Sequence, residues 1–288
     1  MNSVDGLSHC IKRSTDLFSY LKNDFILSLR QTNELMKEQN LYINDVVVVK
    51  NIKVHQGDIL TLFFSKEENN YEPNLIPLDI IYETDDLIII NKQPGLVVYD
   101  PKEQSNHTLA NGISYYFKQI HLERKIRFVN RLDQDTSGLI VVAKNSYAHS
   151  FLAKQFESDQ TEKKYLAIIN GKLKKEKLIV NKPIIKEGIK YQCSEEGKPS
   201  ETHFEVIKIV QDLSLVSCVL KSGRTHQIRV HLNSLGTPIL GDTLYGEPTS
   251  LITRQALHAH SFSFIEPRTF KTVTITAELP WDMLKILE

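Results

Sequence analysis

The segment Arg131-Leu132-Asp133-Gln134-Asp135-Thr136-Ser137-Gly138-Leu139, followed by Ile140-Val141-Val142-Ala143, has the composition of a reactive loop entering a buried strand. Such a loop can hold a carboxylate at the lip of a cleft while the strand fixes its position. Thr136 and Ser137 can bond loop amides, and Gly138 permits a backbone turn closed to other residues. A carboxylate held this way can attack carbon or take up a proton. The same residues also fit a plain structural feature, an Arg–Asp pair on a capped turn, and spacing alone leaves both readings standing. A third reading pairs Asp133 with Asp135 as the acid and base of a hydrolase. Two carboxylates two residues apart on one loop, with no other acidic partner in view, count against it.

Other side chains are ambiguous taken singly. Tyr165, in Lys164-Tyr165-Leu166-Ala167, offers a flat face and a hydroxyl, but a Tyr in an apolar strand is more often a core or rim residue. Arg229, in Gly223-Arg224-Thr225-His226-Gln227-Ile228-Arg229-Val230-His231, suits a phosphate or an ion pair equally. Lys172, Lys174, Lys175 and Lys177 form a run that is usually a solvated turn. His226 and His231 lack the spacing of a converging metal site, and His226 reads as a packing or hydrogen-bonding residue. Gly241 to Gly246 lacks the Gly-x-Gly-x-x-Gly pattern of a dinucleotide loop.

The elements that must position these groups can be read in outline. Helical patterning runs from Phe18 to Met36, and strands follow at Asp45–Val49 and at Ile59–Phe63 after a Gly57-Asp58 turn, with Asn44-Asp45 in the place of a tight turn. Ser65 to Asn74 is polar, acidic and proline-bearing, and reads as a linker. Beyond it, Ile80–Tyr82 and Leu87–Ile90 read as strands about the turn Thr84-Asp85-Asp86. Asn145 caps a helix carrying Ala148, Phe151, Leu152 and Phe156. Strands are expected at Tyr165–Ile169, Phe204–Ile209, Leu213–Leu220 and Thr272–Ala277. Thr225 is the expected cap of a helix through Ile228, His231, Leu232 and Leu235, ended by Gly236. Strands joined by short turns imply antiparallel pairing and an α+β class: a mainly antiparallel mixed sheet with flanking helices. The expected division is a small α+β module over residues 1–72 and a larger domain over 73–288.

The 288-residue chain can bury a core without disulfides or metal, and Cys10, Cys193 and Cys218 show no paired spacing. Its 35 basic and 35 acidic residues cancel, so any nucleic acid must be held by a local basic patch rather than bulk charge. No apolar run is long enough to span a membrane, and Met1 to Ser14 lacks the apolar segment of a signal peptide, so a cytoplasmic protein is expected.

Arg-Leu-Asp-x-x-Thr-Ser-Gly-Leu resembles the signature of the RluA-type pseudouridine synthases. Seven fixed positions at about one in twenty each make a chance match on the order of one in a billion. Ile90-Asn91-Lys92-Gln93-Pro94-Gly95-Leu96 is similar to the family's strand and Lys-Pro-x-Gly turn, with Gln93 inserted. Lys164-Tyr165-Leu166-Ala167, Gly223 to His231 with its continuation through Gly236, Pro238, Ile239, Gly241, Asp242, Tyr245 and Gly246, and Ala256-Leu257-His258-Ala259 follow in the family's order. Asn130 departs from the family's usual His. The resemblance spans roughly residues 76 to 280. It implies the pseudouridine synthase fold and an isomerase that turns uridine into pseudouridine in structured RNA, ribosomal RNA before transfer RNA, with no cofactor and no metal.

The resemblance also assigns roles. Asp133 is the catalytic residue, Tyr165 stacks on the base and handles protons, and Arg229 keeps Asp133 charged. Arg131 props the space left by a flipped nucleotide and Leu257 covers the base; beside these assignments, Arg224, Lys221, Lys163 and Lys164 are the basic residues available to hold phosphates near the cleft. It further implies a monomer. The first module is similar to a degenerate ribosomal-protein-type RNA-binding domain, with Lys22, Arg30 and Lys37 as its basic candidates. The competing expectation is a non-catalytic RNA-binding or ribosome-assembly protein on the same fold.

Overall fold

The computed structural model describes residues 6–101, 105–158 and 161–288. The principal sheet has ten strands. In spatial order, eight run Lys177–Asn181, Glu201–Val210, Leu213–Leu220, Glu162–Asn170, Leu257–Ile265, Ser137–Ala143, Leu87–Lys92, Ile80–Glu83. Thr272–Thr276 pairs beside Leu257–Ile265, and Arg127–Phe128 beside Ser137–Ala143. Pairing is antiparallel except where Ser137 and Gly138 run parallel to His258 and Ala259. The class is α+β, and the central strands Leu87–Ile90 and Ser137–Ala143 are buried continuously, which explains their unbroken apolar sequence.

The Ser146–Glu157 helix begins where Asn145 accepts from the Ala148 amide, and it buries Ala148, Phe151, Leu152 and Phe156. A second helix, Leu109–Gln119, was not expected from the sequence. The Asn111 side chain there accepts from the Thr108 amide and hydroxyl, and Leu109, Ile113 and Phe117 form its buried stripe. The helix after Gly223 starts later than expected. Its cap is His226, held left-handed at φ 56°, and not Thr225. Gly236 ends it with φ 75°.

At the other end, Gly6–Cys10, Ile59–Phe63, Leu41–Ile43 and Val46–Val47 form a four-stranded sheet. Asn44 and Asp45 both have positive φ, the geometry of the tight hairpin turn expected there. The helical stretch is two helices, Leu17–Asn23 and Leu29–Lys37, broken at Asp24–Ser28. Ile26 has positive φ in that break, and a Ser28–Gln31 capping box starts the second helix. Leu17, Tyr20, Leu21, Phe25, Leu41 and Leu60 form a second core, which takes in Tyr147 and Phe151 from the Ser146–Glu157 helix.

Residues 65–74 carry no strand or helix, as their composition suggested. They are nonetheless strapped down. Arg124 donates to the Phe64 and Ser65 carbonyls, Arg127 pairs with Glu67 at 2.5 Å, and Asn111 and Ser114 donate to the Glu72 and Tyr71 carbonyls.

Candidate active site

Asp133 sits on a loop whose backbone is fixed from both sides. The Lys92 ammonium is buried and donates to the carbonyls of Gln93, Leu96 and Gln134 at 2.9, 3.0 and 2.7 Å. Burial pulls its pKa down to about 7, against the partial opposing charge of Asp135. On the other flank Arg254, clamped by both oxygens of Asp282, donates to the Asp135 carbonyl at 3.1 Å. Gln255 reaches the Thr136 hydroxyl, and the Ser137 hydroxyl lies 2.9 Å from His258 Nδ1. Asn130 bonds the edge of the following strand through the Val141 amide and the Leu139 carbonyl, so it serves as a backbone-like anchor at the point of departure from the family pattern.

Gly138 is required where the loop becomes strand. Its φ is 107°, and a Cβ there would stand 2.3 Å from the Ala259 carbonyl oxygen. Only glycine admits the close parallel approach of the two strands.

Arg229 approaches Asp133 from behind. Its Nη1 donates to Asp133 Oδ2 at 2.7 Å, while Nε and Nη2 grip the two oxygens of fully buried Asp242 at 2.7 and 2.9 Å. Asp242 is itself fixed by the Leu244 and Tyr245 amides. Burial opposes the guanidinium charge, but the Asp242 and Asp133 carboxylates outweigh it and raise the Arg229 pKa above its ordinary value. The Tyr245 ring lies under the guanidinium at 5.1 Å. His226 Nε2 stands 3.6 Å from Asp133 Oδ2 as well.

Tyr165 lines the same cleft, nearly buried, with Phe262 behind it at 6.2 Å between ring centres. Burial, then the Asp133 charge, push its pKa well above the usual phenol value, so it keeps its proton. The cleft measures about 1310 Å³. That exceeds the roughly 300–1,000 Å³ of small-molecule pockets and leaves room for a nucleotide with its neighbours. Arg131, Lys221 and Arg224 stand exposed along it. Arg131 bonds the Tyr99 hydroxyl, and Tyr99 stacks on Phe128.

Two expected site residues lie elsewhere. Successive residues of a strand face opposite ways, so Lys163 shares the cleft side with Tyr165 while Lys164 does not line the cleft. Leu257 is packed in the core and is not part of the cleft wall. Asp135 is not in the wall either, so the two loop carboxylates do not line the cleft together. Lys92, Asp242 and Tyr245 appeared in the sequence only as motif members, and Arg254 not at all. Their parts rest on partners far off in the chain, which spacing does not reveal. The lysines of the run, Lys172, Lys174, Lys175 and Lys177, are exposed, and Lys177 pairs with Glu205.

The family pattern described as RNA pseudouridylate synthase matches residues 86–234. A Bacillus subtilis protein named as the uncharacterised RNA pseudouridine synthase YhcT is 38% identical over 288 residues, covering 96% of this chain and 95% of its own. A Nitrosomonas europaea protein named ribosomal large subunit pseudouridine synthase D is 36% identical over 250 residues, covering 82% of this chain and 72% of its own. Among solved structures, human RNA pseudouridylate synthase domain containing 1 superposes with a TM-score of 0.60 at 26% identity, covering 71% of this chain and 84% of that one. The chain belongs to the pseudouridine synthases, in their RluA-type branch. It is an enzyme that isomerises uridine in RNA.

Proposed function

We propose that this isomerase acts on ribosomal RNA, on a uridine swung out of its stack, with Asp133 as the acting carboxylate. The observation that carries this reading is the cleft-facing Asp133 with the buried Arg229 guanidinium 2.7 Å behind one of its oxygens. The reaction breaks the bond from ribose to the base nitrogen, turns the uracil, and rejoins it through carbon. No oxidation or reduction occurs, and the only net exchange is one proton lost from C5 and one gained at N1, so the work falls on one ionised carboxylate and a pocket that retains the free base. Attack on the sugar carbon and removal of a sugar proton both begin from that carboxylate. Arg229 and His226 both address Oδ2, so neither contact falls on Oδ1.

Tyr165 supplies a flat face for the uracil during its rotation. Burial and the Asp133 charge disfavour its phenolate, so the group it brings to proton handling is a neutral hydroxyl. A base inside a helix cannot reach such a cleft, so the nucleotide must be flipped. Arg131 fits a role in filling the vacated space, and Arg224 and Lys221 suit the flanking phosphates. The name of the Nitrosomonas relative favours ribosomal RNA over transfer RNA. The same reading divides the chain into residues 1–72 and 73–288, the first with its own sheet and an RNA-binding part to play, and takes the enzyme as a cytoplasmic monomer.

The test is a pseudouridine map of cellular RNA from the wild type, a deletion strain and an Asp133→Asn strain. The same ribosomal RNA site should vanish from both mutants. A site lost only from transfer RNA would overturn the ribosomal assignment, and a site kept by Asp133→Asn but lost on deletion would overturn the role of Asp133.

A further inference from the structure

His226 lies in the cleft wall with two ring nitrogens facing different neighbours. Nδ1 is 2.9 Å from the Tyr245 hydroxyl, and Nε2 is 3.6 Å from Asp133 Oδ2. The Tyr245 hydroxyl has one further partner, the backbone amide of Tyr191 at 2.9 Å. That amide belongs to the Ile184–Glu187 and Lys190–Cys193 hairpin, which is separate from the principal sheet.

The protons can be assigned in order. A backbone N–H only donates, so the Tyr245 oxygen accepts from Tyr191. Of the two tautomers open to His226, the one in which Nδ1 accepts the Tyr245 hydrogen gives that hydroxyl both a donor and an acceptor among the described residues. A neutral imidazole that accepts at Nδ1 carries its proton on Nε2. That proton faces the oxygen Arg229 already binds. The backbone of His226 is left-handed at φ 56°, a conformation residues other than glycine seldom adopt, and it is this turn that aims the ring. The ring is also wedged edge-on between Tyr191 and Tyr245.

We infer that His226 is a positioning residue for Asp133, whose tautomer is fixed by the 184–193 hairpin through Tyr245. Its Nε2–H and the Arg229 guanidinium together pin Oδ2, which fixes the carboxylate and reserves Oδ1 for the nucleotide. A separation of 3.6 Å exceeds a hydrogen bond, and the bond closes when substrate fills the cleft, as catalytic contacts commonly do. Burial, the largest effect, lowers the His226 pKa, with Asp133 and Asp242 opposing and Arg229 assisting, and this agrees with a neutral ring. The inference rests on Asp133 being the acting carboxylate.

The test uses the full-length enzyme and RNA tritiated at uracil C5, taken from cells lacking the gene. Joining C5 to the ribose displaces that hydrogen, so tritium released to water counts turnovers. His226→Phe keeps an aromatic ring and removes both nitrogens. It should lower kcat about tenfold to a hundredfold, the range for losing a hydrogen bond to a charged group. KM should stay within about twofold, because the lost contact acts on the chemistry and not on RNA binding. Tyr245→Phe, which removes one oxygen, should lower kcat in the same direction by less. His226→Gln, which keeps an N–H near the Nε2 position, should recover part of the loss.

An unchanged kcat in a folded His226→Phe enzyme overturns the inference, as does a rise in KM alone, which would make His226 an RNA contact. A loss in His226→Phe with none in Tyr245→Phe overturns the relay. Should His226→Phe fail to fold, Tyr245→Phe and His226→Gln decide the matter. Asp133→Asn is assayed alongside. If it retains activity, the reading of Asp133 fails on its own account, whatever the His226 variants do.

Discussion

Asp133 has Arg229 and His226 on one carboxylate oxygen, whereas Asp135 lends its backbone carbonyl to Arg254. The two neighbouring aspartates therefore do different things, Asp133 presenting its carboxylate to the cleft and Asp135 bracing the loop through its backbone carbonyl. Tyr165 can be tested in the same terms. Tyr165→Phe keeps the stacking face and removes the hydroxyl, so RNA affinity should persist while kcat falls by about a hundredfold or more, the scale of a lost proton-transfer group. An unchanged kcat would leave Tyr165 a stacking residue only. His258 gives a stability test. Its ordinary pKa is 6.5, and burial pulls it down to about 4 in the folded chain. Between those values the unfolded chain takes up a proton that the folded chain refuses. The stability held by the neutral ring is complete above pH 6.5 and drains away as pH falls toward 4. A gap of that size corresponds to about 3 kcal/mol. The melting temperature should fall over that window, and less steeply in His258→Asn. Equal slopes would contradict the assignment.

The Ser137–Ala143 strand shows what an element contributes. Its burial and its parallel contact with Leu257–Ile265 hold the reactive loop, and Gly138 is where the two backbones meet. Gly138→Ala places a Cβ against the Ala259 backbone at a φ suited to glycine. It should destabilise by more than about 3 kcal/mol, read as a lower urea midpoint or insoluble expression. A wild-type midpoint would refute the close approach. This strand was legible in the sequence because buried elements carry unbroken apolar runs. So were Leu87–Ile90, the apolar part of the Leu87–Lys92 strand, and the Asn44-Asp45 turn, whose chemistry is local. The Ile184–Cys193 hairpin was not, since most of its residues are exposed and carry no apolar period. The Thr225 cap failed because a left-handed His226 starts the helix without a side-chain bond. Lys163 and Lys164 were both phosphate candidates in the sequence, and the strand alternation about Tyr165 that separates them was a signal already present there.

At the scale of the molecule, the N-terminal part is built into the enzyme and not merely tethered to it. Tyr147 and Phe151 of the Ser146–Glu157 helix belong to its core. Gln31 bonds the Ser146 carbonyl and the Ser150 hydroxyl, and Arg268 bridges the Gly6 carbonyl and Asp86. Composition could suggest the boundary near residue 72, but the docking depends on pairs more than a hundred residues apart and left no local trace. Removing residues 1–72 exposes Tyr147 and Phe151, at about 1.5–3 kcal/mol for each large apolar side chain. The truncated chain should melt lower than the intact one. An unchanged melting temperature would mean the two parts are independent. The whole account turns on the loop carboxylate, and purified enzyme on C5-tritiated RNA tests it most directly. Asp133→Asn should retain the fold and lose at least about a thousandfold in rate, as loss of an essential reacting group does, while Asp135→Asn stays within about tenfold of wild type. Comparable rates for Asp133→Asn and wild type, or the larger loss falling on Asp135→Asn, would contradict it.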